Sequence, residues 1–513
     1  MDRRLFLSDL TRYAALCATV PNLWRVTTRP HFADDPFQLG VASGDPTPTG
    51  GVLWTRLCPR PFEPDGGMEG LRTAVDWEVA HDDRFSQIVQ KGRALAAPEL
   101  AFSVHIDVTG LEPNRWYFYR FMSGGATSPV GRFRTTPPDG SLDALHFAFM
   151  SCQRWDQGLF TAYDHLAKEE RLDLAIHLGD YIYEGASPST ALRKHHGLEI
   201  RTLDDYRRRY AQYKSDPLLQ AAHARCPWLV TWDDHEVDNN YAGGHGENLM
   251  ESVEQMHFRR AAAYQAWWEH QPVRVPRAQS WADLNITRTA NWGALGRFWV
   301  LDTRQYRTPQ PCGAGTKPLC EDALNPSNGI LGATQEKWLV DGLGASRARW
   351  QILTNGVMVA PYDTTPGDVD AFAMDMWSGY AGARERLLGA VAKRAPNRTV
   401  VITGDIHSNW VNELRSGFLR PDQPVIGAEF CGTSIASDGD GVSITDQRLS
   451  AMQRENPHLK WYENRRGYVR CTVDANSWTT EIKALDYVTR PGSPIRTAST
   501  WRLEHGRPGV NRV

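Results

Sequence analysis

The residues best suited to chemistry stand directly after short apolar runs. Met150 is followed by Ser151 and Cys152, and Leu178 by Gly179, Asp180 and, three residues on, Tyr183. Trp232 leads into Asp233, Asp234, His235 and the pair Asn239–Asn240, and Thr403 into Gly404, Asp405 and His407. These donors divide into two sets. Cys152, Asp180, Tyr183 and His407 mix sulfur, phenolate and imidazole with a carboxylate, which suits a transition metal; thiolate with phenolate favours ferric iron. Asp180, Asp234, Asn240 and Asp405 offer oxygen (with Asn239 as the alternative amide) and suit a hard ion such as Ca2+ or Mn2+. Asp180 belongs to both sets and is the natural bridging carboxylate. Two neighbouring metal ions lower the pKa of a water and clamp the oxygens of an in-line displacement at phosphorus. His235 is not needed for ligation; it is suited to donating to phosphoryl oxygens or protonating a leaving alkoxide.

Other polar residues carry plainer expectations. His177, inside the run Leu174–Leu178, reads as a core histidine, and Asp302 with Arg304 as a structural ion pair rather than a phosphate contact. His195–His196 reads as part of a solvated loop. Cys312 and Cys320, in a Gly/Pro-rich loop, would close a disulfide in an oxidising compartment or stay as two surface thiols. The segment Ser187–Asp216 and the chain after Ile444 are each long enough to cover a site.

Residues so scattered along the chain need a scaffold that brings strand ends together. From residue 139 onward apolar runs alternate with helical patterns: Leu145–Met150, Leu172–Leu178, Trp228–Trp232, Phe298–Leu301, Trp350–Thr354 and Thr399–Thr403. Between the first two, Leu159, Ala162, Tyr163 and Leu166 follow helical spacing. This is the pattern of an α/β or layered α/β/β domain, whose ligand sites collect outside the carboxyl ends of parallel strands. Residues 36–138 read instead as short strands and turns closing on a proline linker, Pro137–Pro138, which predicts a β-sandwich of the immunoglobulin or fibronectin type.

The totals fit this division. With 513 residues the chain exceeds one ordinary domain, and 41% hydrophobic with 23% charged residues is a globular balance. Lys+Arg 57 against Asp+Glu 60 leaves a net charge of −3, without the basic excess of a nucleic-acid partner. No apolar run reaches the length of a membrane span. At the N-terminus, Arg3–Arg4 followed by Phe6–Leu7 resembles a twin-arginine export signal, which is an address read by the export machinery and not an anchor. Residues 1–30 are assigned to it. Leu16, before Cys17, is too large for a lipidation site.

Taken in order, these blocks make the sequence resemble the PhoD-like alkaline phosphatases of the calcineurin-like metallophosphoesterase superfamily. The residues that carry the likeness are Phe149–Gln153 (FMSCQ), Gly179–Glu184 (GDYIYE), Trp232–Val237 (WDDHEV), Leu301–Arg307 (LDTRQYR) and Gly404–His407 (GDIH), with Phe37–Pro46 upstream and Asn456–Trp461 and Arg466–Val469 downstream. The resemblance implies a four-layered α/β/β/α catalytic domain over residues 139–513, preceded by the sandwich. It also implies an exported, periplasmic or extracellular hydrolase of phosphate mono- and diesters, acting through metal-activated hydroxide; a phospholipase D-like phosphodiesterase acting on lipid head groups is the alternative. By position, Cys152, Asp180, Tyr183 and His407 would hold Fe3+, and Asp180, Asp234, Asn240 and Asp405 one or two Ca2+. His235 falls where the superfamily keeps its substrate-contacting histidine.

Overall fold

The computed structural model describes residues 26–247, 251–367, 369–420 and 422–513. The paired arginines and Cys17 lie outside them. Val26–Thr27, within the segment assigned to the leader, pairs in parallel with Arg72–Thr73.

Two large sheets carry the rest of the chain. In the first, the strands Leu145–Met150, Leu174–His177 and Trp228–Val230 run parallel at the centre, extended on one side by the antiparallel strands Gly467–Val473, Ser477–Leu485, Ile495–Glu504 and Asn511–Arg512. In the second, Gly296–Val300, Trp350–Thr354, Thr399–Thr403 and Val425–Cys431 are parallel, with antiparallel strands at both edges. The parallel strands are apolar on both faces because side chains alternate between two different cores. Phe147, Phe149 and Ile176 point to one core together with Ile352, Val400 and Ile402 of the second sheet. The intervening Ala148, Met150 and Ala175 meet helical residues such as Tyr163, Tyr210 and Trp267. On the far side Leu353 and Val401 pack with Leu339 and Leu387 of the helices Gly332–Ala345 and Ala381–Arg394. Chain ends of the helices are marked as the sequence prescribes: Thr202 and Asp205 form a capping box on Leu203–Lys214, as do Ser252 and Gln255 on Val253–His270.

The N-terminal segment does not stand apart from this scaffold. A six-stranded sheet that includes Arg72–Ala80, Ile88–Ala96 and Trp116–Ser123 shares a core with Val41–Thr47, Gly50–Arg56 and Ser103–Val108, through Leu53, Val75, Val104, Tyr119 and Phe133. Those last three strands are also the end of the first large sheet, joined to it where Gly44 pairs in parallel with Trp228. Glycine is required there: a Cβ on Gly44 would lie 2.2 Å from the Pro272 carbonyl oxygen. The proline linker at 137–138 thus marks a boundary in sequence across which a sheet continues.

Two expectations change. His195 is 5% exposed and its ring bonds the Gly185 carbonyl (2.9 Å) and the Tyr213 hydroxyl (3.0 Å), so within an otherwise solvated loop, where His196 is exposed as expected, His195 itself is buried. Its polarity misled, because the Gly185 carbonyl accepts from one ring nitrogen and the Tyr213 hydroxyl can donate to the other. The chain after Ile444 builds strands of both large sheets. Helix Leu203–Lys214 lies behind the site: Arg209 donates to the carbonyls of Tyr183 and Gly185. Cys312 and Cys320 form a disulfide.

Candidate metal centre

The parallel strands of both sheets end at one place, and their carboxyl ends touch. Ser151 forms a parallel bridge with Ser434, the Gly404 amide donates to the Gly356 carbonyl (2.9 Å), and the Thr231 hydroxyl donates to the Leu301 carbonyl (2.9 Å). The turns there are tight enough to require hydrogen in place of a side chain. A Cβ on Gly404 would sit 2.3 Å from Ser151 Oγ, and one on Gly179, at φ +113°, would sit 2.5 Å from the Asp233 nitrogen. Cys152 (φ 58°), Asp180 (57°), Asn240 (52°), Asp405 (66°) and His407 (53°) all adopt the left-handed region. Five of the seven candidate ligands are held in a conformation that non-glycine residues seldom adopt, a concentration found at sites where function overrides local preference.

Six of the seven candidates converge through their side chains, and Asn240 joins them through its backbone amide. Donor atoms of Cys152, Asp180 and His407 lie within 4.8 Å of one another, and so do those of Asp180, Asp234 and His235, and of Asp233, Asp234 and Asp405. The Tyr183 hydroxyl donates to Asp180 Oδ2 (2.8 Å), lies 3.1 Å from His407 Nε2 and accepts from Ser437 Oγ (2.8 Å). The Asn240 amide donates to Asp234 Oδ2 (2.7 Å), whereas the side-chain amide of Asn239 is engaged by Glu247 (2.6 Å).

The electrostatics ask for cations. Burial pushes the Asp180 carboxyl well above the usual carboxylate range, and Asp234, Asp233 and Glu236 push it further against the opposing pull of His235. Asp405 is raised in the same way by burial, Asp233 and Asp234. Burial and Asp180 raise the Cys152 thiol. Asp180 Oδ1 and Asp234 Oδ1 are buried with no hydrogen-bond partner. Unsatisfied buried carboxylate oxygens are costly unless a cation lies among them. The Cys152–Asp180–His407 group and the Asp180–Asp234–His235 group share Asp180, the oxygen group of Asp233, Asp234 and Asp405 adjoins them through Asp234, and these donors fit a metal pair.

One of the three acidic groups already holds a cation of the protein's own. Fully buried Arg304 spans Asp233 (Nε–Oδ1 2.6 Å, NH2–Oδ2 3.0 Å) and Asp375 (2.7 Å), and lies 3.6 Å from both Asp234 and Asp405. Arg304 is in an ion pair as expected, but with these partners; Asp302 instead accepts from the Arg304 and Gln305 amides and the Trp232 indole. Arg304 hydrogen-bonds both oxygens of Asp233, whereas Asp234 and Asp405 lie only at ion-pair distance from it. For Asp234, burial opposes ionisation, but Arg304, His235 and the Asn240 amide outweigh it and hold its carboxyl below the usual range.

Several partners escaped the sequence reading. Glu184 accepts from His235 Nδ1 (2.8 Å) and from the Asn239 amide (3.0 Å). Burial opposes the protonated form of His235, but Glu184, Asp234 and Asp180 together raise it well above the ordinary imidazole value. Glu236 accepts from the amides of Asp180, Tyr181 and Asp233 (3.0, 2.7 and 2.8 Å) and ties two ligand loops together. Asp438 bonds His407 Nδ1 (2.7 Å) and turns its Nε2 toward Tyr183. Glu184 and Glu236 adjoin named candidates, so adjacency could have flagged them; nothing local marks Asp438. His177 is a buried histidine that desolvation lowers to about 3, outside the ligand groups.

Known proteins share this arrangement of chain and fold. Residues 147–482 match the family model of the PhoD-like phosphatases and residues 23–137 that of their N-terminal domain. The chain is 43% identical to alkaline phosphatase D of Bacillus subtilis (strain 168) over all of its length and 89% of that protein's. It superposes on the solved structure of PhoD with a TM-score of 0.91 at 44% identity, covering 94% of this chain and 93% of that one. A purple acid phosphatase from yellow lupin seeds shares the fold alone, at TM-score 0.55 and 13% identity over 91% of this chain and 73% of the other. The chain belongs to the PhoD-like phosphatase family and is a phosphoric ester hydrolase.

Proposed function

We propose that the protein is an exported, metal-dependent alkaline phosphatase and phosphodiesterase that hydrolyses phosphate mono- and diesters. The observation that carries this reading is the shared carboxylate: Asp180 belongs at once to the Cys152–His407 group and to the Asp234–His235 group. Cys152, Asp180, Tyr183 and His407 would hold Fe3+; Asp180, Asp234, Asn240 and Asp405 would hold Ca2+. When bound, the metal pair supplies the Lewis acidity that makes water nucleophilic near neutral pH and offsets charge on phosphoryl oxygens. The chain's own groups do the rest. His235, kept protonated by Glu184, donates from Nε2 to the departing alkoxide, and Asp438 sets the orientation of His407. The two sheets with helices outside each support the four-layered metallophosphoesterase reading, and the shared core of the N-terminal strands supports a sandwich. Twin-arginine export to the periplasm or beyond rests on Arg3–Arg4, and no helix among the described residues is long and apolar enough to cross a membrane.

The test is elemental analysis and visible spectroscopy of purified protein beside a panel of monoester, simple diester and phospholipid. Iron with calcium, a thiolate/phenolate absorption band and turnover of the first two substrates is the expected result. An iron-free, colourless and fully active preparation overturns the iron assignment, and turnover of phospholipid alone replaces the phosphatase reading with that of a phospholipase D-like phosphodiesterase acting on lipid head groups.

A further inference from the structure

Arg154 is a cation at the site that the ligand sets leave unused. It follows Cys152 by two residues, and its amide donates to Ser437 Oγ (3.2 Å), the hydroxyl that also bonds Tyr183 and the Cys152 carbonyl. Its backbone is thus pinned to the wall formed by Cys152 and Tyr183. The side chain is held at its inner nitrogen: Nε donates to Asp156 Oδ1 (2.8 Å), a carboxylate with no exposed side-chain surface. The guanidinium carbon lies 5.3 Å from the centre of the Tyr183 ring, and the charge of Arg154 reaches both Tyr183 and Asp438. Its two terminal nitrogens have no hydrogen-bond acceptor among the described residues, and the side chain keeps 26% of its surface open. The contrast with Arg304 is sharp. Arg304 is fully buried and spends its guanidinium on Asp233 and Asp375, whereas Arg154 is anchored at one nitrogen and unspent at the other two.

A planar fork fixed at its base, with two donors left over beside a phosphoryl-transfer site, is suited to bidentate capture of phosphate oxygens. We propose that Arg154 binds the non-bridging oxygens of the substrate's phosphoryl group and favours dianionic monoesters over monoanionic diesters. The second negative charge of a monoester strengthens both charge-assisted bonds, and a diester puts an ester substituent where one of those oxygens would be. Asp156 is the positioning residue that keeps the fork aimed. This inference rests on the phosphatase reading above.

The experiment compares wild type, Arg154→Gln and Arg154→Lys as purified holoenzymes. Steady-state kinetics use p-nitrophenyl phosphate and bis(p-nitrophenyl) phosphate, iron and calcium are quantified in each protein, and inorganic phosphate is titrated calorimetrically. With metal content equal to wild type, R154Q is expected to lose about thirtyfold in kcat/KM for the monoester, chiefly through KM. It should weaken phosphate binding by a similar factor and lose no more than about threefold on the diester, so that the monoester/diester ratio falls about tenfold. R154K, which restores a charge without the fork, should recover part of the monoester loss. Equal losses on both esters, metal loss in R154Q, or unchanged phosphate binding would each overturn the proposal. The two readings separate cleanly. Wild-type turnover with R154Q indistinguishable from it removes Arg154 alone. Phosphate binding that depends on Arg154 in a protein that turns over neither ester removes the phosphatase reading and leaves Arg154 as a phosphate contact.

Discussion

At the scale of single residues, the site sets charge against burial. Asp180, Asp234 and Asp405 are carboxylates that the fold crowds together, and each of the two imidazoles beside them is joined to a further carboxylate, His235 to Glu184 and His407 to Asp438. Replacing His235 by Asn removes the proposed proton donor and leaves the candidate metal ligands in place. We expect kcat to fall by about 10²–10³-fold with iron and calcium content retained, measured by kinetics alongside elemental analysis. Equal loss of metal and turnover would make His235 a ligand instead. Asp405→Asn tests the opposite property. In chelator-treated protein Asp405 is a half-buried carboxylate facing Asp233 and Asp234, so the neutral amide should stabilise the metal-free fold by about 1 kcal/mol. With metals restored the order should reverse, because the variant lacks a ligand and binds calcium less tightly. Thermal melts of both proteins, with and without EDTA, read the two effects.

The elements contribute precision of placement. Each candidate ligand follows a short parallel strand whose residues alternate between two cores, so the strand end has almost no freedom to shift. The connection that follows must turn at once, and the glycines mark where it does. Gly179→Ala would force a Cβ to within 2.5 Å of the Asp233 backbone nitrogen at a φ of +113°. Backbone and not a flexible side chain is in the way, so we expect a loss of about 3 kcal/mol or more in stability and a reduced iron content, read by calorimetry and elemental analysis. Glu236 acts at the same scale, since one carboxylate receives amides from both ligand loops, Asp180–Tyr181 and Asp233.

For the whole molecule, the continuity of the first large sheet into the N-terminal strands makes the boundary between the two parts a core and not a hinge. Lys214 lies in that core, 1% exposed, with its ammonium 4.2 Å from the centre of the Trp54 ring and 5.3 Å from that of Tyr181. Burial lowers it from 10.5 to about 7. Between those values the unfolded chain binds the extra proton, so this residue makes the fold more stable as pH rises from 7 to 10.5 and less stable below. Lys214→Met should raise stability at neutral pH by about 1–3 kcal/mol and flatten the rise toward pH 10. His105 and His458, lowered by burial to about 4, and His177, lowered to about 3, act in the same sense at lower pH. Each folded pKa lies below the ordinary 6.5, so stability is present above that pH and is lost as pH falls toward 4. Melting curves from pH 4 to pH 10 on wild type and K214M check both limbs.

What the sequence determined by itself was the set of candidate donors and the order of its parts. The donor types at Cys152, Asp180, Tyr183, Asp234, Asn240, Asp405 and His407 were legible because each follows an apolar run with a strand's composition, and a strand end in a parallel sheet has only one place to deliver a side chain. Strands Trp350–Thr354 and Thr399–Thr403 could be read to the residue for the same reason. Tertiary structure alone decided which charges meet. Arg304 reaches Asp233 across 71 residues, Glu184 reaches His235 across 51, and Asp438 reaches His407 from a glycine-rich loop that carries no local signal. It also decided that His195 is buried and that the N-terminal strands extend the catalytic sheet. Strand periodicity is a local property of neighbouring residues, whereas pairing between distant charges and between sheet edges depends on packing that no short window of sequence contains.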